Sequence, residues 1–137
     1  MLGPVDHVGY LALDWEQAIE NLGQVLGLSI TRRFERPEFS LIGGYLGSEP
    51  GSVEVFSFSD QTLSSRRLGG ATLRLDHVGF LVEDIEAVAI GMRRVGIRFA
   101  GPDLRQEVVQ PIELSGVRHL WTVPSSSLEQ CIQLVER

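Results

Sequence analysis

Cysteine is almost absent: Cys131 stands alone, so no intramolecular disulfide can form, and a disulfide-scaffolded secreted domain is excluded. A reducing, cytoplasmic setting is the matching expectation. Long apolar runs are missing too, since no window comes near the roughly 18 residues of a membrane span. The opening Met1-Leu2-Gly3-Pro4-Val5-Asp6 lacks the basic and apolar segments of a secretory signal. Positive charge is in deficit. Against 18 Asp and Glu stand 12 Lys and Arg, giving a formal net charge of −6. The broad basic face that nucleic acid or an anionic membrane requires is therefore not expected. What remains is the makeup of a soluble globular chain: 137 residues, 43% hydrophobic and 22% charged, enough to bury one sizeable core.

Two stretches organise the rest. Asp6-His7-Val8-Gly9-Tyr10-Leu11 returns about half a chain later as Asp76-His77-Val78-Gly79-Phe80-Leu81, with only Tyr10 exchanged for Phe80, so one supersecondary unit is used twice. A lone valine-flanked histidine is ordinarily a core or strand-end residue. Two in equivalent places, each followed by a strand glycine of the kind that marks a close approach, point to a site shared between the halves.

Each copy predicts a strand, a helix and further strands. Val5 to Leu13 favours a strand. Asp14 suits an N-cap, and Ala18, Ile19, Leu22, Val25 and Leu26 form one apolar helical stripe that Gly27 closes. Trp15 is placed on or near the outer face of that helix. Leu28 to Phe34 reads as the next strand, with Arg32, Arg33 and Arg36 solvated at its exit, and Phe39 to Leu46 as the third. The turn Ser48-Glu49-Pro50-Gly51 leads into Ser52 to Phe58, where Glu54 shares a face with Phe56 and Phe58 by period-two geometry. A carboxylate on an aromatic face is costly without a partner, which singles out Glu54.

Ser59 to Arg74 reads as a polar linker with Arg66 and Arg67 in solvent. The second copy then restarts with strand Leu75 to Val82. A helix follows from Asp84, with Ile85, Val88, Ala89, Met92 and Val95 inward and Gly96 as its stop, and then strand Ile97 to Ala100. Leu104 to Val117, which holds Pro111 and Gly116, reads as a lengthened loop of the kind that shapes substrate choice. His119 to Val123 and Leu128 to Val135 are the last strands. There Cys131-Ile132-Gln133-Leu134 holds the place of Ser52-Val53-Glu54-Val55, which singles out Gln133. Module 1 thus covers about residues 4–58, a linker about 59–74 and module 2 about 75–137 of a single domain.

The imidazoles of His7 and His77, the carboxylate of Glu54 and the amide oxygen of Gln133 make a ligand set for one divalent metal ion. Co, Ni, Zn, Mn and Fe all suit it. A cation so held can chelate two adjacent substrate oxygens and stabilise an enediolate as a proton leaves the neighbouring carbon. Glu54, the one carboxylate of the four, is the candidate catalytic base.

These residues resemble the vicinal-oxygen-chelate superfamily of glyoxalases, bleomycin resistance proteins and dioxygenases. The resemblance covers essentially the whole chain. It implies an α+β fold of two βαβββ modules whose curved mixed sheet surrounds a metal-site cavity, with His7, Glu54, His77 and Gln133 on the four ligand positions. Within the superfamily the chain most resembles the methylmalonyl-CoA epimerases. The shared features are the openings Val5-Asp6-His7-Val8 and Leu75-Asp76-His77-Val78-Gly79-Phe80 and the interval from Pro124 to Gln133. That likeness implies a metal-dependent isomerase, epimerase or lyase, a small-molecule substrate such as an acyl-CoA thioester, and a homodimer.

Two departures matter. Those epimerases carry glutamine in the first module and glutamate in the last, the reverse of Glu54 and Gln133. Gly43 also stands where they carry a second catalytic glutamate, with Tyr45 on the same strand face, and His119 or Glu113 in the second module, as candidate replacements. A single base fits a one-base isomerase, lyase or dehydratase. Lactoylglutathione lyase, or glyoxalase I, is the alternative by resemblance at His7, Glu54 and His77, although it has glutamate at the position of Gln133 and arginine at that of Leu11. A metal-free, antibiotic-sequestering member of the fold is the other alternative, although such proteins generally lack the paired histidines.

Overall fold

The structure, a computed structural model, describes residues 2–137. In chain order its elements are β1 (Val5–Ala12), α1 (Trp15–Leu26), β2 (Ile30–Arg36), β3 (Leu41–Leu46), β4 (Ser52–Phe58), α2 (Gln61–Leu68), β5 (Leu73–Leu81), α3 (Ile85–Arg94), β6 (Phe99–Ala100), β7 (Ile112–Leu114), β8 (Val117–Thr122) and β9 (Cys131–Glu136). The chain forms two compact units, His7–Asp76 and, separately, the residues up to Asp6 with His77–Arg137. Among the described residues no helix is long and apolar enough to cross a membrane.

In the His7–Asp76 unit the strand order is β2, β3, β4, β1, with β1 parallel to β4 and the other pairs antiparallel. Parallel neighbours need a crossover, and α1 lies within it. α1 starts where the Asp14 carboxylate accepts from the Gln17 N–H and stops at Gly27, which takes the left-handed conformation and donates its N–H to the Gly23 carbonyl. Trp15 and Ile19 bury against Ala12, Leu46, Val53 and Val55. A Cβ on Gly44 would stand 2.9 Å from Ile19 Cδ1 and 3.4 Å from Trp15 Cζ3, so only glycine lets the helix lie this close to β3. Leu11, Leu41, Phe56 and Phe58 form a second cluster on the opposite sheet face. Each fully buried Leu or Ile contributes about 1.5–3 kcal/mol to such clusters.

The other unit repeats the pattern. Its order is β5, β9, β8, β6, with β5 parallel to β9, the other pairs antiparallel, and β7 added beside β8. α3 is capped by Asp84, whose carboxylate accepts from the Ala87 N–H, and buries Ile85 and Ala89 against Phe99, Leu120 and Leu134. The N-terminal segment belongs here: the Gly3 N–H donates to the Leu81 carbonyl at 2.8 Å and the Leu81 N–H to the Pro4 carbonyl at 2.9 Å.

Several expectations change. Residues 59–74 are no plain linker, because Asp60 accepts from the Thr62 and Leu63 N–H groups, Gly69 closes the turn, and Leu63 and Leu68 complete the Phe56–Phe58 cluster. Arg67 is not solvated but forks onto Asp76 at 2.6 and 2.7 Å. Trp15 is buried rather than outward, with the Arg33 guanidinium 5.2 Å above its ring. Val25 and Val95 are 80% and 78% exposed, so the apolar stripes of α1 and α3 outrun the sheet that covers them. The expected loop from Leu104 to Val117 contains β7, joined to β8 by a tight turn in which Ser115 and Gly116 both have positive φ.

Candidate functional site

The duplicated motif acts through strand register. In the His7–Asp76 unit, His7 pairs with Ser52 and Gly9 with Glu54 across the parallel β1/β4 ladder. In the other unit, His77 pairs with Cys131 and Gly79 with Gln133 across β5/β9. The two ladders are offset identically, so each histidine shares its sheet face with the acid or amide of the neighbouring strand. The motif glycine stands opposite that acid or amide and adds no side chain there. All four side chains are buried.

Within the His7–Asp76 unit a ring nitrogen of His7 and a carboxylate oxygen of Glu54 lie within 4.8 Å of each other, close enough for one cation to bridge them. Tyr45 sits directly across β3/β4 from Glu54, and its hydroxyl donates to Oε2 at 2.7 Å. Burial, then the negative charge of Glu54, push the Tyr45 phenol well above its ordinary range, so it stays protonated and remains a donor. Its ring is held by Phe34 at 5.6 Å, by the edge of His7 at 6.0 Å and by the Arg32 guanidinium at 4.3 Å. Arg32 in turn pairs with Glu49 at 3.1 Å, so it is engaged rather than merely solvated. Ser52 Oγ, on the His7 rung, is buried with no hydrogen-bond partner among the described residues. An orphaned hydroxyl beside an imidazole and a carboxylate is a donor set that fits a hydrated cation or an oxygenated ligand.

In the other unit the Gln133 amide nitrogen lies 2.9 Å from Nδ1 of His119, whose ring stacks on Trp121 at 5.4 Å. An amide N–H donating to Nδ1 turns the Gln133 oxygen away from His119, the orientation a metal ligand needs. Glu113 does not join this group. It is exposed and pairs with Arg118, one residue out of phase with the face of His119.

Gly43 is opposite Phe56 on β3. A Cβ there would meet the Val55 carbonyl oxygen at 2.4 Å, Phe56 Cβ at 2.8 Å and Phe34 Cζ at 2.9 Å. The place is closed to any side chain. The recess of about 490 Å³ lined by Leu2, Pro4, Leu81, Glu83, Ala87 and Val88 contains none of the four candidate residues, and its wall is mostly apolar.

Sequence reasoning missed Ser52 and the two arginines that hold the motif aspartates, Arg67 on Asp76 and Arg137 on Asp6 at 3.0 Å. Ser52 was within reach, since matching Cys131 to Ser52 already placed it two residues before Glu54. The arginines were not, because no spacing links them to their partners.

The family model described as glyoxalase/bleomycin resistance protein/dioxygenase superfamily matches residues 6–110. No curated protein matches the sequence. Among solved structures, methylmalonyl-CoA epimerase from Mycobacterium tuberculosis is similar with a TM-score of 0.81 at 18% identity, covering 98% of this chain and 88% of that one. A variant of the Streptomyces coelicolor methylmalonyl-CoA epimerase in complex with 2-nitronate-propionyl-CoA is similar with a TM-score of 0.82 at 18% identity, covering 99% and 98%. A methylmalonyl-CoA epimerase in complex with methylmalonyl-CoA and NH4+ gives 0.83 at 18% identity, covering 99% and 95%. At these identities the likeness is one of fold, the α+β arrangement of paired βαβββ modules. With the family model matched over most of its length, the chain belongs to the glyoxalase/bleomycin resistance protein/dioxygenase superfamily.

Proposed function

We propose that this chain is a divalent-metal-dependent isomerase or lyase that removes a proton next to a chelated carbonyl, with His7, Glu54, His77 and Gln133 as metal ligands and an acyl-CoA thioester as the substrate class. The observation that carries this reading is the repeated register: in each unit a buried histidine and a buried oxygen-donor side chain share one face across a glycine rung. Structural likeness to epimerases solved with methylmalonyl-CoA and 2-nitronate-propionyl-CoA supports the substrate class. A divalent cation, when bound, supplies Lewis acidity that stabilises negative charge on the substrate oxygens as the proton leaves.

This chain's residues divide the remaining work. Glu54 takes the proton, because Gln133 has no basic site at neutral pH. Tyr45 holds the Glu54 carboxylate by its Oε2. Leu11, Leu41 and Phe56 keep water from the sheet face that Glu54 shares. The closed space at Gly43 leaves β3 no room for a second carboxylate, which favours one-base chemistry over a two-base epimerisation.

The test is elemental analysis of protein purified without chelator, beside the His7→Ala/His77→Ala double variant, together with NMR of deuterium uptake at C2 of propionyl-CoA or methylmalonyl-CoA in D2O. One equivalent of metal in the wild type, lost in the variant, with deuterium uptake abolished in Glu54→Gln, is the expected result. Metal with no exchange on either thioester overturns the substrate class. No metal even after reconstitution overturns the metalloenzyme and leaves a sequestering protein as the reading.

A further inference from the structure

The third strand of each four-strand set, β3 in one unit and β8 in the other, carries matching positions. Tyr45 faces Glu54 across β3/β4, and Gly43 faces Phe56 two residues further on. In the other unit Trp121 faces Gln133 across β8/β9, and His119 faces Val135. His119 therefore occupies the position of Gly43, and Trp121 that of Tyr45. Each set has one aromatic ring opposite the acid or amide and one hydrogen-bonding group engaged with it, but the group comes from different rungs. In the first it is the Tyr45 hydroxyl on Glu54 Oε2 at 2.7 Å. In the second it is His119 Nδ1 on Gln133 Nε2 at 2.9 Å.

We propose that Tyr45 and His119 are positioning residues, each fixing which atom its partner offers to the metal: Tyr45 by holding Glu54 Oε2, His119 by anchoring the Gln133 amide nitrogen. The inference rests on the four-ligand reading above. Glutamate can bind a cation through one oxygen or both, and the phenol biases Glu54 toward one. A glutamine can present oxygen or nitrogen, and only oxygen suits a divalent cation, so its NH2 needs an acceptor on the far side. His119 supplies it, clamped by its stack on Trp121. Tyr45 is clamped likewise, between Phe34 and Arg32.

Cobalt(II) titration of chelator-treated protein, followed by visible absorption, reads these roles without turnover. Tyr45→Phe keeps the ring and its packing, and His119→Phe keeps a ring to stack on Trp121. Each is expected to weaken cobalt binding about 10- to 100-fold and to change the band intensities, while metal-free protein still unfolds cooperatively and loses only what one buried hydrogen bond contributes. His119→Asn, which puts a carbonyl oxygen near the place of Nδ1, is expected to restore most of the affinity. In a Glu54→Ala background, where no side-chain oxygen remains for the phenol, Tyr45→Phe should cost little more, because its effect passes through Glu54. Wild-type affinity and spectrum in both ring variants overturn the inference. A loss confined to one overturns it for the other strand. Additive losses of Tyr45→Phe and Glu54→Ala overturn it for Tyr45, and failure of His119→Asn to recover binding overturns it for His119. No cobalt in the wild type defeats the metal reading itself, and this inference with it, a result distinct from all the others.

Discussion

Ser52 hides a hydroxyl from water with nothing among the described residues to bond it, next to a histidine and two residues before a carboxylate. Folding alone gives no reason to retain that group, since an unsatisfied buried hydroxyl costs about 1–3 kcal/mol. Ser52→Ala is therefore expected to raise the stability of metal-free protein by about 1 kcal/mol, measured by urea denaturation. A fall in stability would show instead that the hydroxyl is satisfied in solution by a structural partner. At the same scale, the shared register and burial of the four candidate residues could be anticipated from the sequence, because the doubled Asp-His-Val-Gly and the parallel of Cys131-Ile132-Gln133-Leu134 with Ser52-Val53-Glu54-Val55 make each half a template for the other. Tyr45 was legible only as a residue on the right strand face, because its bond to Glu54 depends on β3/β4 register that no local pattern encodes.

Helices α1 and α3 were readable from their ends, where Asp14 and Asp84 bond the first-turn N–H groups. α2 was not, because its eight residues carry Ser, Thr and Arg on most positions and only Leu63 and Leu68 as apolar anchors. α3 also has a support beyond its own sequence. The Glu136 carboxylate, from β9, accepts the Ile85 N–H at 2.7 Å and pairs with Arg118 at 2.8 Å. The Ile85 bond first, and Arg118 after it, hold the Glu136 carboxyl below the usual glutamate range. A carboxyl that titrates lower in the folded chain than in the unfolded one adds stability at neutral pH and loses it as pH falls through the lowered value. Glu136→Gln should thus lose about 1 kcal/mol near neutrality, a partly solvated and screened pair giving no more. The gap to wild type should close as pH drops below the carboxylate range, in thermal melts across pH. A gap constant with pH would assign Glu136 a role other than as a charged acceptor.

Each motif aspartate is clamped inside its own unit, Asp76 by Arg67 and Asp6 by Arg137. The first pair is nearly dry, with side-chain exposures of 13% and 10%, whereas Arg137 is 35% exposed. Arg67→Ala should cost roughly 3–5 kcal/mol, as removal of one partner from a buried pair does, and Arg137→Ala a comparable amount, because the Asp6 side chain it leaves is only 1% exposed. Hydrogen exchange is the check: Arg67→Ala should raise exchange first in His7–Asp76, and Arg137→Ala in His77–Arg137 and the residues leading to Asp6. Equal loosening of both units by either variant would refute a local role for these clamps. Which unit takes the N-terminal residues could not be read from the sequence, because the residues up to Asp6 join the second half of the chain through hydrogen bonds that only the folded strands reveal. The crowding at Gly43, finally, bears on descent. Any step that adds a side chain there collides with the Val55 carbonyl oxygen and the Phe34 ring together. A lineage holding this arrangement cannot gain a second base at this position by one substitution. The surrounding strand and Phe34 must give way first, so the order of mutations closes a path that the genetic code leaves open.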